Sequence, residues 1–290
     1  MRRLTAVAVL LAACGILPVH AQSISLAFKQ GEQFKYALHF SGTFTAHIGS
    51  VAQDVKIDAK ARETVATTAV ESDGTADMTL TLSDLTITTT GKTADGSTTT
   101  STTTQTNAIP PQQLKVAPDG RILSINGQSI SSESPFGVLT GSYLVYAVLP
   151  DSAVKPGDKW SKSYDQAQPG GSSSVHVTSN STYLRDESFH GVNSAVIETK
   201  SAADFTMNLI PPKSPLPNTP NGTRPGPTPG GLGSVQGSET SDTTSWVDPA
   251  AHRVLKSSMK ATLRATIAEF ENQVTVTGTQ TVDLEPATPA

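Results

Sequence analysis

The residues of this sequence that could carry out chemistry are scattered along the chain. Histidine is the side chain that most readily serves as a metal ligand or as an acid–base group near neutral pH. Outside the first 21 residues, the histidines are His39, His47, His176, His190 and His252. No two of them have the short helical spacing that is typical of zinc ligands. We therefore interpret them as solvated surface side chains, and a metal site assembled from distant strands is the alternative.

Motifs for a nucleophile or a nucleotide are also missing. The sequence has no Gly-x-Ser-x-Gly motif. The glycine cluster at 231–237 lacks the spacing of a nucleotide-binding loop. We expect no catalytic residue, no cofactor and no metal, and the alternative is a hydrolase whose site is assembled from distant residues. A pocket would favour that alternative if it held two or more of His39, His47, His176, Asp54 and Asp204.

Four carboxylates stand in predicted turns: Glu32, Asp151, Asp158 and Asp248. A carboxylate in a turn commonly accepts hydrogen bonds from nearby backbone N–H groups. We interpret these four as groups that stabilise turns and not as acid–base pairs.

Two further sets of side chains could bind a ligand. Lys256, Lys260 and Arg264 form a basic stripe on one strand face, which could meet phosphate or lipid headgroups but is more typical of a solvated face. Trp160 and Trp246 are interpreted as core anchors, with a ligand platform as the alternative.

The N-terminus predicts export. Arg2 and Arg3 precede an apolar run, and small residues lead up to a cleavage point between Ala21 and Gln22, which together indicate a signal peptide over 1–21. The alternative is a lipobox in which Cys14 would be lipidated. No later segment approaches the roughly 20 apolar residues of a membrane span. We expect a periplasmic or extracellular protein or, in the alternative, one that is lipid-anchored through Cys14.

Composition limits the classes of partner. Charged residues are 16% of the chain and the net charge is -4, which does not favour nucleic acid. Cys14 is the only cysteine, so a chain cleaved after Ala21 can form no disulfide. The roughly 270 residues that remain are enough for one large or two small domains.

Alternation of apolar and polar residues predicts an all-β chain. The segment 34–48 alternates almost without a break and would be roughly 50 Å long, so we expect a bend near Gly42. Further strands are predicted at 51–62, 63–72 and 75–90, followed by an exposed threonine-rich hairpin at 91–106. Long half-buried strands predict strongly curved sheets or an open barrel.

One segment departs from the β pattern. Over 136–148 the apolar residues fall three and four positions apart, and Pro135 and Pro150 flank them. This spacing predicts one short central helix, which would cover part of a sheet or plug one end of a barrel.

The chain also predicts two similar antiparallel halves. Two segments of similar sequence each place a glycine turn before a predicted strand. They are Lys29-Gln30-Gly31-Glu32-Gln33-Phe34 and Lys155-Pro156-Gly157-Asp158-Lys159-Trp160. A second sequence similarity relates the residues around Arg121 to those around Arg253. The predicted organisation is a signal peptide 1–21, a first half 22–148, a second half 149–285 with a disordered Pro/Gly-rich loop 211–233, and a disordered tail 286–290.

The pattern Val-x-x-Gly-Asp-x-Trp, present as Val154 to Trp160, resembles one in bacterial secreted proteins and lipoproteins of unknown function. The resemblance covers this motif and the surrounding strand order. It implies a β fold of that kind and no particular activity.

These observations predict an exported envelope protein that is a non-enzymatic binding or structural module. The alternative is a periplasmic carrier or sensor of a lipid or other apolar ligand. Aromatic residues are only 5% of the chain, so a curved sheet could be underfilled. The apolar ligand face would then be Phe40, Phe44, Leu80, Leu82 and Leu263.

Overall fold

The computed structural model describes residues 21–49, 51–92, 96–105, 111–126, 145–167, 174–208, 234–269 and 272–287, and in this part the chain is all-β. It contains no helix there, and hence none that could span a membrane. The twelve strands are β1 (Gln33–Ile48), β2 (Val51–Val70), β3 (Ala76–Lys92), β4 (Thr98–Gln105), β5 (Gln112–Val116), β6 (Ile122–Asn126), β7 (Lys159–Ala167), β8 (Ser174–Phe189), β9 (Val192–Asn208), β10 (Ser234–Asp248), β11 (Arg253–Glu269) and β12 (Asn272–Pro286).

All twelve strands belong to one strongly curved sheet, as the sequence predicts. Their order is β2-β1-β12-β11-β10-β9-β8-β7-β6-β5-β3-β4, and an additional pairing of β2 with β3 closes eleven of them into a ring. Strand β4 lies outside the ring and pairs with the C-terminal part of β3, while β5 pairs with the N-terminal part. All neighbours are antiparallel except β6 and β7.

Strand β1 shows how alternation produces the core. Tyr36, Leu38, Phe40 and Phe44 face inward and are at most 4% exposed. The pairing of β1 with β2 and with β12 runs through Gly42, where a bend is predicted, without a register shift. Gly42 also makes room for an aromatic ring, since a Cβ there would lie 2.5 Å from the ring of Phe44.

Strand β2 corrects the prediction of two strands at 51–62 and 63–72. It is one strand of 20 residues. No glycine or proline separates the predicted pair, and the inward alternation continues through Ala61, Glu63 and Val65. The only irregularity near the predicted boundary is a register shift between Lys60 and Arg62 in the pairing with β3.

The predicted helix lies mostly outside the described residues, and its last four residues, 145–148, are not helical. They enter the interior as extended chain, because partners exist for their backbone groups. Ala147 and Val148 donate their N–H groups to the hydroxyls of Ser245 and Thr199, each at 2.9 Å. Leu149 donates its N–H to the carbonyl of Asp119 at 2.8 Å.

Two segments that precede strands fill one end of the interior. Residues 22–28 come before β1 and residues 145–154 before β7, and a bridge between Gln22 and Val154 joins them. Both segments contribute to the second of two hydrophobic clusters, which contains Ile24, Leu26, Ala147, Leu149, Val154, Tyr183, Ala195, Ile197, Val247 and Val254. In the described part of the chain, extended segments therefore occupy the place that the sequence assigns to a helical plug.

Candidate functional site

The outer face of the sheet has a concave region between six neighbouring strands, β8 to β12 and β1. Its volume is about 630 Å³. We call it the outer concavity and define it by the outward-facing residues among those that line it: Ser41, Thr43, Thr178, Asn180, Lys200, Ala202, Thr240, Asp242, Lys260, Thr262, Thr279 and Thr281. Most of these side chains are short and polar, and no aromatic ring is among them.

Strand register places three charges side by side in the outer concavity. Asp242 on β10 is paired with Lys200 on β9 and with Lys260 on β11. All three are exposed. Among the described residues, neither lysine has a carboxylate oxygen within 4.0 Å.

A row of threonines runs beside these charges. Thr240, Thr262, Thr279 and Thr43 are consecutive partners across β10, β11, β12 and β1. Neighbouring strands lie about 4.8 Å apart, so the hydroxyls follow one another at that spacing. Hydroxyls both donate and accept hydrogen bonds. The outer concavity can thus form hydrogen bonds and charge-assisted bonds with a polar ligand.

The five residues of the predicted apolar ligand face lie together inside the ring. They belong to one hydrophobic cluster and are at most 4% exposed: Phe40, Phe44, Leu80, Leu82 and Leu263. In the described residues this face is packed core and not an open groove.

The interior also holds a carboxyl group that is not among the predicted residues. Glu63 on β2 is fully buried, and neither carboxyl oxygen has a hydrogen-bond partner in the described part of the chain. Burial raises its pKa to about 8, so the group is mostly protonated at neutral pH. Its cross-strand neighbours are Tyr36 and Leu82.

A second interior carboxyl lies on β10. The side chain of Gln280 donates a long hydrogen bond of 3.4 Å to Glu239, and burial raises the pKa of Glu239 to about 7. The other polar atom of Gln280, Oε1, has no partner in the described residues. Alternation in the sequence could have identified both glutamates, because the residues two positions before and after each of them face the interior.

One histidine has the hydrogen bonds of a nucleophile relay. His176 Nε2 lies 3.1 Å from Ser163 Oγ, and His176 Nδ1 lies 2.8 Å from Asp165 Oδ1. Ser163 and Asp165 are on β7 and His176 is on β8, directly opposite Asp165. Sequence reasoning missed Ser163 and Asp165, because only the hairpin register brings them to His176.

In the described part of the chain, this relay is exposed to solvent. The side chain of His176 is 57% exposed and that of Asp165 is 70% exposed. None of the three residues lines the outer concavity. Water competes for each hydrogen bond there, and catalysis of acyl transfer needs oxyanion donors in a protected site. Asp204 is the cross-strand partner of His176 on β9. In the described residues, no hydrogen bond joins two of the five residues whose clustering would favour an enzyme.

The remaining histidines are isolated from one another. His39 contacts Asp58 at 2.8 Å on the outer face, and His252 Nδ1 lies 3.1 Å from the carbonyl oxygen of Ser25. His47 and His190 are exposed. No group of three potential metal ligands occurs in the described ranges.

The basic stripe divides into three different environments. Lys256 binds Glu285 at 2.6 Å and lies 5.3 Å from the ring centre of Trp246. Lys260 belongs to the outer concavity, and Arg264 is exposed opposite Ser238. Only one of the three is therefore placed in the concave region.

Both tryptophans are half-buried and hydrogen-bonded. Trp160 donates its ring N–H to the carbonyl of Val148 at 2.9 Å, and Trp246 donates to Glu187 at 3.2 Å. Trp160 also packs against the second hydrophobic cluster, which is the anchoring role that the sequence predicts.

Two of the four turn carboxylates, Asp158 and Asp248, act as predicted. Asp158 accepts the backbone N–H of Lys155 at 2.9 Å, and Asp248 accepts two backbone N–H groups. Asp151 instead binds the ammonium of Lys162 at 2.6 Å.

Of the residues that the sequence associates with export, the structure describes Ala21 and Gln22. Cys14 lies outside the described residues. Ala21 is exposed, and Gln22 makes two backbone hydrogen bonds with Val154, at 2.8 and 2.9 Å.

Comparisons with known proteins do not identify a family. No protein-family model matches the chain, and no curated protein matches it. Among solved structures, the chain is similar to "Structure of DynF from the Dynemicin Biosynthesis Pathway of Micromonospora chersina", with 9% sequence identity over 95% of this chain and 88% of that chain. The TM-score is 0.24, so this similarity does not bear on fold or function.

Proposed function

We propose that this protein is an exported, non-enzymatic binding module of the bacterial envelope, and that the outer concavity is its binding surface. The observation that carries this proposal is the row Lys200, Asp242 and Lys260, whose two ammonium groups have no carboxylate within 4.0 Å in the described residues. Charge-assisted hydrogen bonds are stronger than neutral ones. Two lysines beside a row of hydroxyls suit a ligand that carries both hydroxyl and carboxylate groups.

A cell-wall glycan has this chemistry, and co-sedimentation with purified peptidoglycan tests the proposal. We expect the protein to pellet with peptidoglycan and the double variant Lys200→Ala/Lys260→Ala to bind about tenfold more weakly or worse. The control is Lys35→Ala/Lys159→Ala, which removes two exposed lysines outside the concavity. Equal binding by both variants, or binding only to anionic lipid vesicles, would reject the glycan.

The absence of enzymatic activity is a separate part of the proposal, and its test uses the relay on β7 and β8. A fluorophosphonate probe labels serines that a neighbouring base activates. Because Ser163 and His176 are exposed, we expect no labelling above that of a denatured control. Labelling that disappears in both Ser163→Ala and His176→Ala would make the protein a hydrolase.

Export is inferred from the N-terminal sequence, and the bonds of Gln22 are compatible with it. Cleavage after Ala21 would keep Gln22, whose bonds to Val154 join the two segments at the filled end. Mass spectrometry of the mature protein tests this inference. A first residue Gln22 is expected, whereas a diacylated Cys14 would identify a lipoprotein.

We also infer that the two halves of the chain arose by duplication. The support is the hydrogen bonding at the two glycine turns. Gly31 N donates to Thr67 O at 2.9 Å, and Gly157 N donates to Tyr183 O at 2.7 Å. A superposition of 34–123 on 160–255 that gave unrelated strand orders would reject the duplication.

A carrier of an apolar ligand is the second candidate function, and buried Glu63 is the observation that favours it. A buried polar group without a partner is costly and is rare in folded proteins. A ligand that had a hydrogen-bonding headgroup and an apolar tail could pair with Glu63 and replace part of the packed cluster.

Native mass spectrometry with organic extraction tests the carrier function. A lipid that co-purifies reproducibly, and that is lost from Glu63→Leu but retained by Glu63→Gln, would support it. A protein that is empty after purification and does not bind a fluorescent fatty acid would exclude it.

A further inference from the structure

Strand β4 differs from the other strands in both composition and position. Its sequence is TTTSTTTQ, without a charged residue, a proline or a glycine. Residues 98–104 are exposed on both faces of the strand. The strand contributes no side chain to either hydrophobic cluster. Its strand pairing in the described residues is with β3 alone, and it has no buried face that would hold it in the sheet.

The second edge of β4 has no partner strand in the described part of the chain. In the sheet order β4 is the last strand, beyond β3. An edge strand presents a row of N–H and C=O groups that can pair with another strand. Natural proteins block such edges with lysine, proline or a bulge, and β4 contains neither residue type and pairs with β3 without a register shift.

Pairing of threonines already holds β4 against β3. The hydroxyls of Thr102 and Thr88 are 3.2 Å apart, and those of Thr100 and Thr90 are 3.3 Å apart. Such cross-strand pairs are the units that stabilise a sheet. A strand of the same composition on the free edge would form the same kind of contact.

We propose that the free edge of β4 pairs antiparallel with β4 of a second copy of this chain, so that the two sheets become continuous. A twofold axis at Ser101 would place Thr98 opposite Thr104, Thr99 opposite Thr103 and Thr100 opposite Thr102, each pair occurring twice. Every pair is then hydroxyl against hydroxyl. Because the strand has no charge, no repulsion opposes this pairing. The self-complementary sequence favours a second copy over an unrelated peptide.

Introducing a charge at the proposed axis tests this interface. Ser101→Lys places two lysines directly opposite each other in the dimer, while in the monomer the new side chain stays exposed. Sedimentation velocity over a range of concentrations should give a dimer for the unmodified protein and a dissociation constant for Ser101→Lys that is at least about tenfold higher. Ser101→Glu alone should behave in the same way. An equimolar mixture of Ser101→Lys and Ser101→Glu should form a dimer again, because opposite charges then face each other.

The matched control is Gln236→Lys, which adds the same charge at an exposed position in the middle of the sheet and outside the outer concavity. It should leave the dimer unchanged. Hydrogen exchange of the amides in Thr98–Gln105 should slow as protein concentration rises. A monomer at every concentration, a dimer that Ser101→Lys does not weaken, or protection of β4 that is independent of concentration would each overturn the proposal.

Discussion

The turns that precede β1 and β7 use the same hydrogen bonds, but the strands that follow them differ in length and in their surroundings. Glu32 N donates to Lys29 O, and Asp158 N donates to Lys155 O, both at 3.0 Å. Strand β1 then has 16 residues and is paired on both sides along most of its length, whereas β7 has 9 residues and is paired along one side. The comparison shows that a shared local turn does not determine how far the next strand extends.

The two junctions between the halves are also unequal. Strands β12 and β1 share thirteen residue pairs, while β6 and β7 share the single pair Ser124 and Ala167. At the weaker junction, side chains supply contacts that the backbone does not. Lys162 on β7 binds Asp119, in the turn between β5 and β6, at 2.5 Å. One junction is therefore a backbone ladder, whereas the other combines a single backbone pair with side-chain contacts such as this charged pair and Arg121 over the ring of Tyr164.

The largest predicted difference between the halves concerns their buried glutamates and pH. Burial raises the pKa of Glu63 to about 8, so the folded state favours the protonated acid. The contribution of this group to the free energy of unfolding is fully present below the unfolded pKa, and it is lost as pH rises through about 8. At about 1.4 kcal/mol per pH unit, the loss reaches roughly 5 kcal/mol. Urea unfolding of Glu63→Gln should show a much flatter pH dependence between about 4.5 and 8. Glu239→Gln should flatten it less, because the pKa of Glu239 is raised only to about 7.

The next effect compares the two segments at the filled end of the ring. Leu26 and Leu149 are at most 5% exposed and belong to the same cluster. Leu26→Ala and Leu149→Ala should each lower the free energy of unfolding by about 3 kcal/mol, through lost burial and a residual cavity. Urea denaturation measures both. A loss from only one variant would mean that one segment, and not the pair, holds this end together.

A smaller effect is expected at the weaker junction. Asp119→Asn leaves Lys162, whose side chain is 9% exposed, with Asp151 as its remaining carboxylate. We expect a loss of about 2 kcal/mol. The control Glu285→Gln removes the carboxylate partner of Lys256 at an exposed site and should cost less than about 1 kcal/mol. Equal losses from the two variants would show that the charged pair does not close the ring.

The smallest effect tests whether the two glycine turns are equivalent. Gly31 has a φ of 83° and Gly157 a φ of 96°, and a Cβ at either position would meet no atom within 4 Å. Gly31→Ala and Gly157→Ala should therefore each cost about 1 kcal/mol from backbone strain alone. The corresponding asparagine variants should cost less, because asparagine tolerates this conformation better. Thermal unfolding with clearly different losses would separate the two turns.

Much of the fold could be predicted from local pattern. Alternation located most of the strands, since a half-buried strand must place every second side chain in the core. Apolar spacing predicts a helix at 136–148, but residues 145–148 are extended, and hydroxyls on β9 and β10 bind the amides of Ala147 and Val148. A local sequence pattern cannot predict such hydrogen-bond partners, because they lie far away along the chain. The predicted strand boundary at Glu63 is wrong for a related reason. Glu63 is buried inside one continuous strand, although an acidic residue in a sequence is usually interpreted as exposed.

The candidate sites were less predictable than the fold. The sequence places Lys260 in a basic stripe along one strand, but its neighbours Lys200 and Asp242 come from two other strands. Ser163 and His176 meet only through the β7–β8 register. A sequence separates such residues by loops of any length, so spacing alone cannot bring them together.

By itself, the sequence determined the all-β class, the glycine turns and the inward apolar residues such as Phe40 and Phe44, because period-two alternation and positive φ are local requirements. The tertiary structure decided the closure of the ring, the concave outer face and the extended segments in its interior. These features depend on which strands become neighbours and in which register, as in the single pair that joins β6 to β7. Pairing between distant strands is a balance of backbone bonds, burial and chain entropy over the whole molecule, and no stretch of sequence contains that balance.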